Sequence, residues 1–163
     1  MGLEIKPKFT NDQLRQIIQS KKDRIEAAVI SLLQFVGEKF VTNARNNGAY
    51  KDHTGNLRSS AGYVILRNGE QIFQNFQVFP QVDPNAEGAG QGVQKAQAAI
   101  DEVAEKLKEK FPTGLILIGV AGMDYAAAVE SKGYDVITSS SMQAKSDLEE
   151  GLKQLKGKIA QMT

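Results

Sequence analysis

The chain has 163 residues, 41% of them hydrophobic, which is enough for a domain with a real core and argues against wholesale disorder. Its 20 basic and 19 acidic side chains leave a formal charge of +1, so no general field draws in nucleic acid or a membrane surface. The absence of cysteine excludes disulfides and thiolate metal sites and fits a reducing compartment.

Residues 1–9 read as an irregular lead-in around Pro7, without the apolar run of a signal peptide. Lys6 stands where a myristoylation motif wants Ser or Thr. Thr10 and Gln13 have capping-box spacing, so a helix should begin near Asn11. Leu14, Ile17, Ile18, Ile25, Val29, Leu32 and Val36 then recur at steps of three and four and predict one amphipathic helix over 11–46. Gly37 weakens it and is a place for a kink, and Gly48 is a candidate C′ residue. A helix this long exceeds what a small domain needs to cover its sheet. Two readings follow: one long core helix, or a helix that lies partly on a neighbouring subunit.

Residues 49–60 read as a loop whose Thr54-Gly55-Asn56 is turn chemistry. A hairpin over 61–79 follows, with Asn68-Gly69 as a type I′ turn. Strict alternation would put Ile72, Phe76 and Val78 on one face and Phe73 and Phe79 on the other, leaving both faces partly apolar. One face should meet a helix, the other a second sheet or another subunit. The Pro-, Gly- and Asn-containing stretch 80–92 reads as a flexible loop.

A helix is expected over 93–111, with Val93, Ala96, Ile100, Val103, Leu107 and Phe111 inward and a charged outer face. Residues 115–120 form a short, wholly apolar strand, far too short to span a bilayer. Asp124–Glu130 fits a short helix or a strand, and 134–138 reads as another short strand. Ser139, Ser140 and Ser141 offer N-caps for a last helix over 142–161. The expected fold class is α+β, one domain over 1–163. A small antiparallel sheet packs against the long N-terminal helix, with two further helices beside it.

The sequence offers no catalytic constellation and no cofactor motif. His53 is the sole histidine, so a Ser-His-acid triad would have to use it, and no G-x-S-x-G elbow presents a serine. Gly119 and Gly122 resemble half of a phosphate-binding fingerprint but lack the rest of it. The reading is therefore a non-enzyme with no catalytic, cofactor or metal site. Arg45, Lys51, Arg58 and Arg67, interleaved with Tyr50 and Tyr63, suggest a second class, a small nucleic-acid-associated binding module. The near-zero net charge weighs against direct binding.

Two segments carry a more specific signal. The first is Thr54-Gly55-Asn56-Leu57-Arg58-Ser59-Ser60, after a long amphipathic helix and before a strand. The second is Tyr125-Ala126-Ala127-Ala128-Val129-Glu130 with Gly133 following. Together they resemble the tail-completion, or head–tail joining, proteins of long-tailed double-stranded DNA bacteriophages and prophages. The order of elements over residues 11–160 agrees with that family. The stretch Pro80–Phe111 is longer than the family's usual helical insertion, and Ser131-Lys132-Gly133-Tyr134 replaces its Gly-Thr.

The resemblance implies a structural virion protein assembled in the bacterial cytoplasm. It implies a ring of identical subunits, six in number, between portal-adaptor and tail-tube proteins, with no catalysis and no membrane. It marks Thr54, Gly55, Asn56, Leu57, Arg58, Ser60, Tyr125, Ala126, Val129, Glu130 and Gly133 as structural or interface residues. Among these, Leu57 should anchor the turn in the core and Tyr125 should bury its ring. Arg58 is expected to pair with Glu130 and so tie the two segments together.

Overall fold

The structure is a computed structural model that describes residues 9–80, 83 and 85–161. Residues 1–8 of the expected lead-in over 1–9 and part of the 80–92 loop lie outside the described residues. Helix α1 runs unbroken from Asn11 to Asn47 and is about 55 Å long at 1.5 Å per residue. It opens with the expected capping box: Thr10 Oγ1 accepts from the Gln13 amide at 3.2 Å, and the Gln13 side chain accepts from the Thr10 amide at 2.9 Å. A one-turn helix α2 (Asn56–Ser59) follows, inside what reads from sequence as a loop. Strands β1 (Ala61–Arg67) and β2 (Glu70–Phe76) form the hairpin. Then come α3 (Gly92–Lys110), β3 (Leu115–Ala121), α4 (Ala126–Ser131) and α5 (Thr138–Gln161).

The sheet has three antiparallel strands in the order β2-β1-β3. Strand β1 is central and reads as a continuous apolar run because helices cover both of its faces. On one face, Val64 and Leu66 join Ile118 and Val120 against Ala96, Ile100 and Ala104 of α3. On the other, Tyr63 and Ile65 meet Leu33, Phe40 and Val41 of α1, with Ala144 and Leu148 of α5 alongside. Both hairpin faces are thus covered from within the same chain, by helices and not by a second sheet.

Asn68 and Gly69 have φ of 53° and 81°, the paired positive values that a type I′ turn requires. The alternation expected for β2 breaks at a bulge: Ile65 pairs with Phe73 and Leu66 with Gln71, leaving Ile72 as the extra residue. Ile72 and Phe73 consequently pack on the same side, with the α1 cluster, while Phe76 packs on the α3 side. The ladder ends at Phe76, so 77–79 are not strand and Val78 is exposed. Val103 in α3 and Phe111 just after it lie more open than an inward position implies, at 36% and 47% exposure, and Ala104 takes the buried place.

Residues 134–138 are not a strand. The amides of Val136, Ile137 and Thr138 are bound by the Glu130 carboxylate and cannot join a sheet ladder. Helix α5 starts at Thr138, four residues before the expected start, and the serines at 139–141 lie inside it.

Glycines set the close approaches. A Cβ on Gly37 would fall within the Tyr63 ring, 2.7 Å from its Cζ. Gly37 is therefore a notch for the aromatic side chain and not a break in α1. Tyr63 is fully buried, stacks on Phe73 with centroids 5.8 Å apart, and donates its hydroxyl to Glu38 at 2.9 Å. Burial first, and then the Glu38 carboxylate, push its pKa well above the usual phenol value. Gly48 has extended φ and ψ of −67° and 122°, so it is not a left-handed cap; the Tyr50 ring occupies the place of its Cβ. Gly151 likewise admits Leu32 between α1 and α5, and Lys39 bonds Asp147 at 2.7 Å between the same two helices.

Gly37→Ala should therefore destabilise the protein despite its better helix propensity. The expected loss is about 1–3 kcal/mol from overpacking against Tyr63. Gly157→Ala on α5, where nothing lies within 4 Å, should instead stabilise by up to about 1 kcal/mol. Urea unfolding of the two variants checks the opposite signs.

Candidate functional site

Among the described residues no cluster of three or more His, Cys, Asp or Glu could hold a metal. His53 is exposed, and its carbonyl accepts from the Asp83 amide at 3.1 Å. The two glycines of the half-fingerprint serve packing. A Cβ on Gly119 would meet the Phe40 ring at 2.7 Å, and one on Gly122 would strike the backbone of Lys95 and Ala96.

The concentration of polar contacts lies instead at the turn after α1. Gly55 adopts φ 68°, the left-handed geometry that favours glycine, and starts the one-turn helix α2. Asp52 caps that turn from behind, its carboxylate accepting from the Arg58 amide at 2.8 Å and the Leu57 amide at 3.4 Å. Thr54 Oγ1 accepts from the Asn56 amide at 3.3 Å. Leu57 is 3% exposed and anchors the turn as expected. Ser60 is fully buried; its hydroxyl donates to the Leu57 carbonyl at 2.7 Å and its carbonyl accepts from the Gly122 amide at 3.1 Å. Ser59 Oγ accepts from the Phe79 amide at 2.8 Å, fixing the chain just after β2.

Asn56 gathers the most contacts distant in sequence. Its Oδ1 accepts from the amides of Gly90, Gln91 and Gly92 at 3.0, 3.0 and 3.3 Å, and its Nδ2 donates to the Gly88 carbonyl at 2.6 Å. Helix α3 has no capping side chain of its own, and Asn56 supplies one from more than 30 residues away.

Two arginines close the node reciprocally. Arg45 Nε donates to the Arg58 carbonyl at 3.2 Å, and Arg58 Nε donates to the Arg45 carbonyl at 2.8 Å. Arg45 also reaches the carbonyls of Ala61 and Gln77, and Arg58 those of Gly48 and Tyr50. The Arg58 guanidinium stacks over Tyr50 at 4.6 Å and over Phe79 at 5.5 Å. Arg45 is 8% exposed, and burial lowers its pKa against the opposing pull of Glu38.

This arrangement corrects two expectations. Arg58 does not pair with Glu130; its donors are spent on carbonyls at the end of α1. The basic and aromatic residues also do not form one surface patch. Arg45 is buried, Arg58 is half-buried on carbonyls and Tyr63 has no exposure, while Lys51 and Arg67 are exposed, Arg67 beside Glu26 at 3.4 Å.

Glu130 has a separate task. Its carboxylate accepts from the amides of Val136, Ile137 and Thr138 at 2.7, 3.0 and 3.2 Å, which caps the start of α5. Partial burial would raise its pKa, but hydrogen bonds from Thr138, Ile137 and Val136 outweigh that and hold it below the usual value. Gly133, at φ 84°, is the left-handed residue that ends α4, with its amide on the Glu130 carbonyl at 3.0 Å. Tyr125 is 42% exposed and its ring is not in the core, because the small Ala126 takes the inward place at the start of α4.

The two resembling segments do meet, through apolar contact. Leu57 from the first shares a cluster with Ala126 from the second, together with Tyr50, Met123 and Val136, and Val129 packs against it. Sequence reasoning missed the capping roles of Asp52 and Glu130 and placed Arg45 in a basic patch rather than in the fold. The signal available for Asp52 and Glu130 was an acid a few residues ahead of a helix start; nothing in the sequence pointed Arg45 at backbone carbonyls. Comparison with protein-family models, curated proteins and solved structures gave no match.

The Glu130 cap predicts a pH dependence. A depressed carboxylate pKa adds stability that is fully present above the unfolded value of about 4.3 and is lost as pH falls through the folded value. Glu130→Gln should cost about 1 kcal/mol at neutral pH, and the gap to the parent should close below about pH 4. Urea denaturation as a function of pH measures this, and a gap that stays constant into the acid range would contradict the assignment.

Proposed function

We propose that this chain is a structural subunit of a phage or prophage particle that completes the tail or joins head to tail as a ring of identical copies. The observation that carries the reading is the pair of segments Thr54–Ser60 and Tyr125–Glu130. They stand in the family's order between a long first helix and a C-terminal helix, and they converge on one apolar cluster. Their side chains cap helices and clasp carbonyls, which suits a scaffold that presents surfaces rather than a site that turns over a substrate. The absence of a strand at 134–138 departs from the expected layout without disturbing that convergence.

An exposed apolar stretch of α1 supports the reading. Residues 11–25 of α1 are all exposed, Leu14, Ile17 and Ile18 among them at 40%, 53% and 59%. Of the two readings of this helix, one long core helix does not account for this exposed stretch. The ring, the count of six and the virion location rest on the resemblance. No described helix is long and apolar enough to cross a membrane. The nucleic-acid reading is weakened because Arg45, Arg58 and Tyr63 are engaged inside the fold.

The test has two parts: mass by light scattering across a concentration range, with negative-stain images of the largest species, and deletion of the gene in its source strain. The reading predicts closed rings with a central hole in the first and unjoined heads and tails in the second. A protein that stays monomeric, in a strain whose particles are unaffected by the deletion, contradicts it.

A further inference from the structure

The first half of α1 and the last turns of α5 form a two-helix arm. The helices run antiparallel, since Lys39 meets Asp147, Leu32 meets Gly151, and Ile25 and Ala28 share a groove with Leu155 and Ile159. That groove holds about 300 Å³ and has an apolar floor. Its rim is Lys21, Arg24 and Lys158. None of the three is within ion-pair distance of a carboxylate among the described residues. The acids on the same stretch are already engaged: Asp12 with Arg15, Asp23 with Gln19, and Glu26 with Arg67. Helix α5 from Gly151 to Gln161 contributes Lys153, Lys156 and Lys158 and no acid.

We infer that this groove receives an amphipathic helix of a partner protein whose apolar stripe is edged by carboxylates. The argument is charge complementarity combined with register. Ile25, Ala28 and Leu32 lie toward α5 at steps of three and four, and Leu14 and Ile18 continue the same row. Ile159, near the end of α5, shares the groove with Lys21, and α1 extends ten residues further to Asn11, about 15 Å. A third helix laid in the trough would pack its stripe on this row and place its flanking acids against Arg24 and Lys21 on one side and Lys158 on the other. A second copy of the arm is the poorer occupant, because it would set cations against cations. The inference rests on this surface and does not depend on the phage reading.

The experiment measures binding of three labelled synthetic peptides, each about four helical turns long, to the full chain by fluorescence anisotropy. One has a leucine stripe flanked by glutamates, one has the same stripe flanked by lysines, and one is the glutamate peptide with its order scrambled. The glutamate-flanked helix should bind about tenfold or more tightly than either control and weaken with added salt. The exposed charge reversals Arg24→Glu and Lys158→Glu together should invert the preference toward the lysine-flanked peptide while leaving the melting temperature unchanged. Equal binding of the two striped peptides, equal binding of the scrambled one, or indifference to the reversals would overturn the inference. Concentration-dependent self-association abolished by Ile18→Glu would also overturn it, by placing a second copy on the arm.

Discussion

The reciprocal clasp of Arg45 and Arg58 is the constraint on which the rest of the fold depends. A helix leaves its last carbonyls without intrahelical partners, and α1 ends where it must also hand the chain to the central strand. Arg58 satisfies the carbonyls of Arg45 and Gly48 at that end, while Arg45 reaches across to Arg58, Ala61 and Gln77. A single pair of guanidinium groups thus ties together the end of α1, the turn, the start of β1 and the residue that follows β2. Among the described residues, neither cation hydrogen-bonds a carboxylate. Removing either side chain would strand buried carbonyls, which costs more than the bonds themselves contribute.

Around that clasp, helix ends are capped by residues distant in sequence. Asn56 caps α3, Glu130 caps α5 and Asp52 caps α2. The apolar cluster of Tyr50, Leu57, Met123, Ala126 and Val136 lies between these caps and keeps them in register. The chain therefore divides into a tightly bonded body and an arm whose outer turns are bare. That division is what the proposed assembly role would need, a rigid base and a presented surface.

Periodicity and turn chemistry made much of this legible. The span of α1, its capping box, the Asn-Gly hairpin, α3 and β3 all follow from patterns that repeat within one element. What was not legible depends on contacts across the sequence. Residues 134–138 have strand composition, and only the Glu130 carboxylate, bonded to their amides, decides otherwise. The bulge at Ile72 turns a β-branched residue onto the same side as Phe73, which a strict two-residue alternation forbids. The arginines looked like a surface patch because their partners are backbone carbonyls, which leave no trace in composition. Gly37 looked like a weakness because the ring that fills its notch comes from Tyr63 on β1.

The central claim is that the turn from Asp52 to Ser60 is part of the cooperative core and not a surface loop. Native-state hydrogen exchange tests it most directly. The informative amides are those of Arg58, held by Asp52, Gly92, held by Asn56, and Gly122, held by the Ser60 carbonyl. The account predicts that they exchange with the same opening free energy as Val64 and Ile65 in the central strand, through global unfolding alone. Exchange at these three positions that is orders of magnitude faster, with β1 still protected, would contradict it and reduce the turn to a local decoration on an independent core.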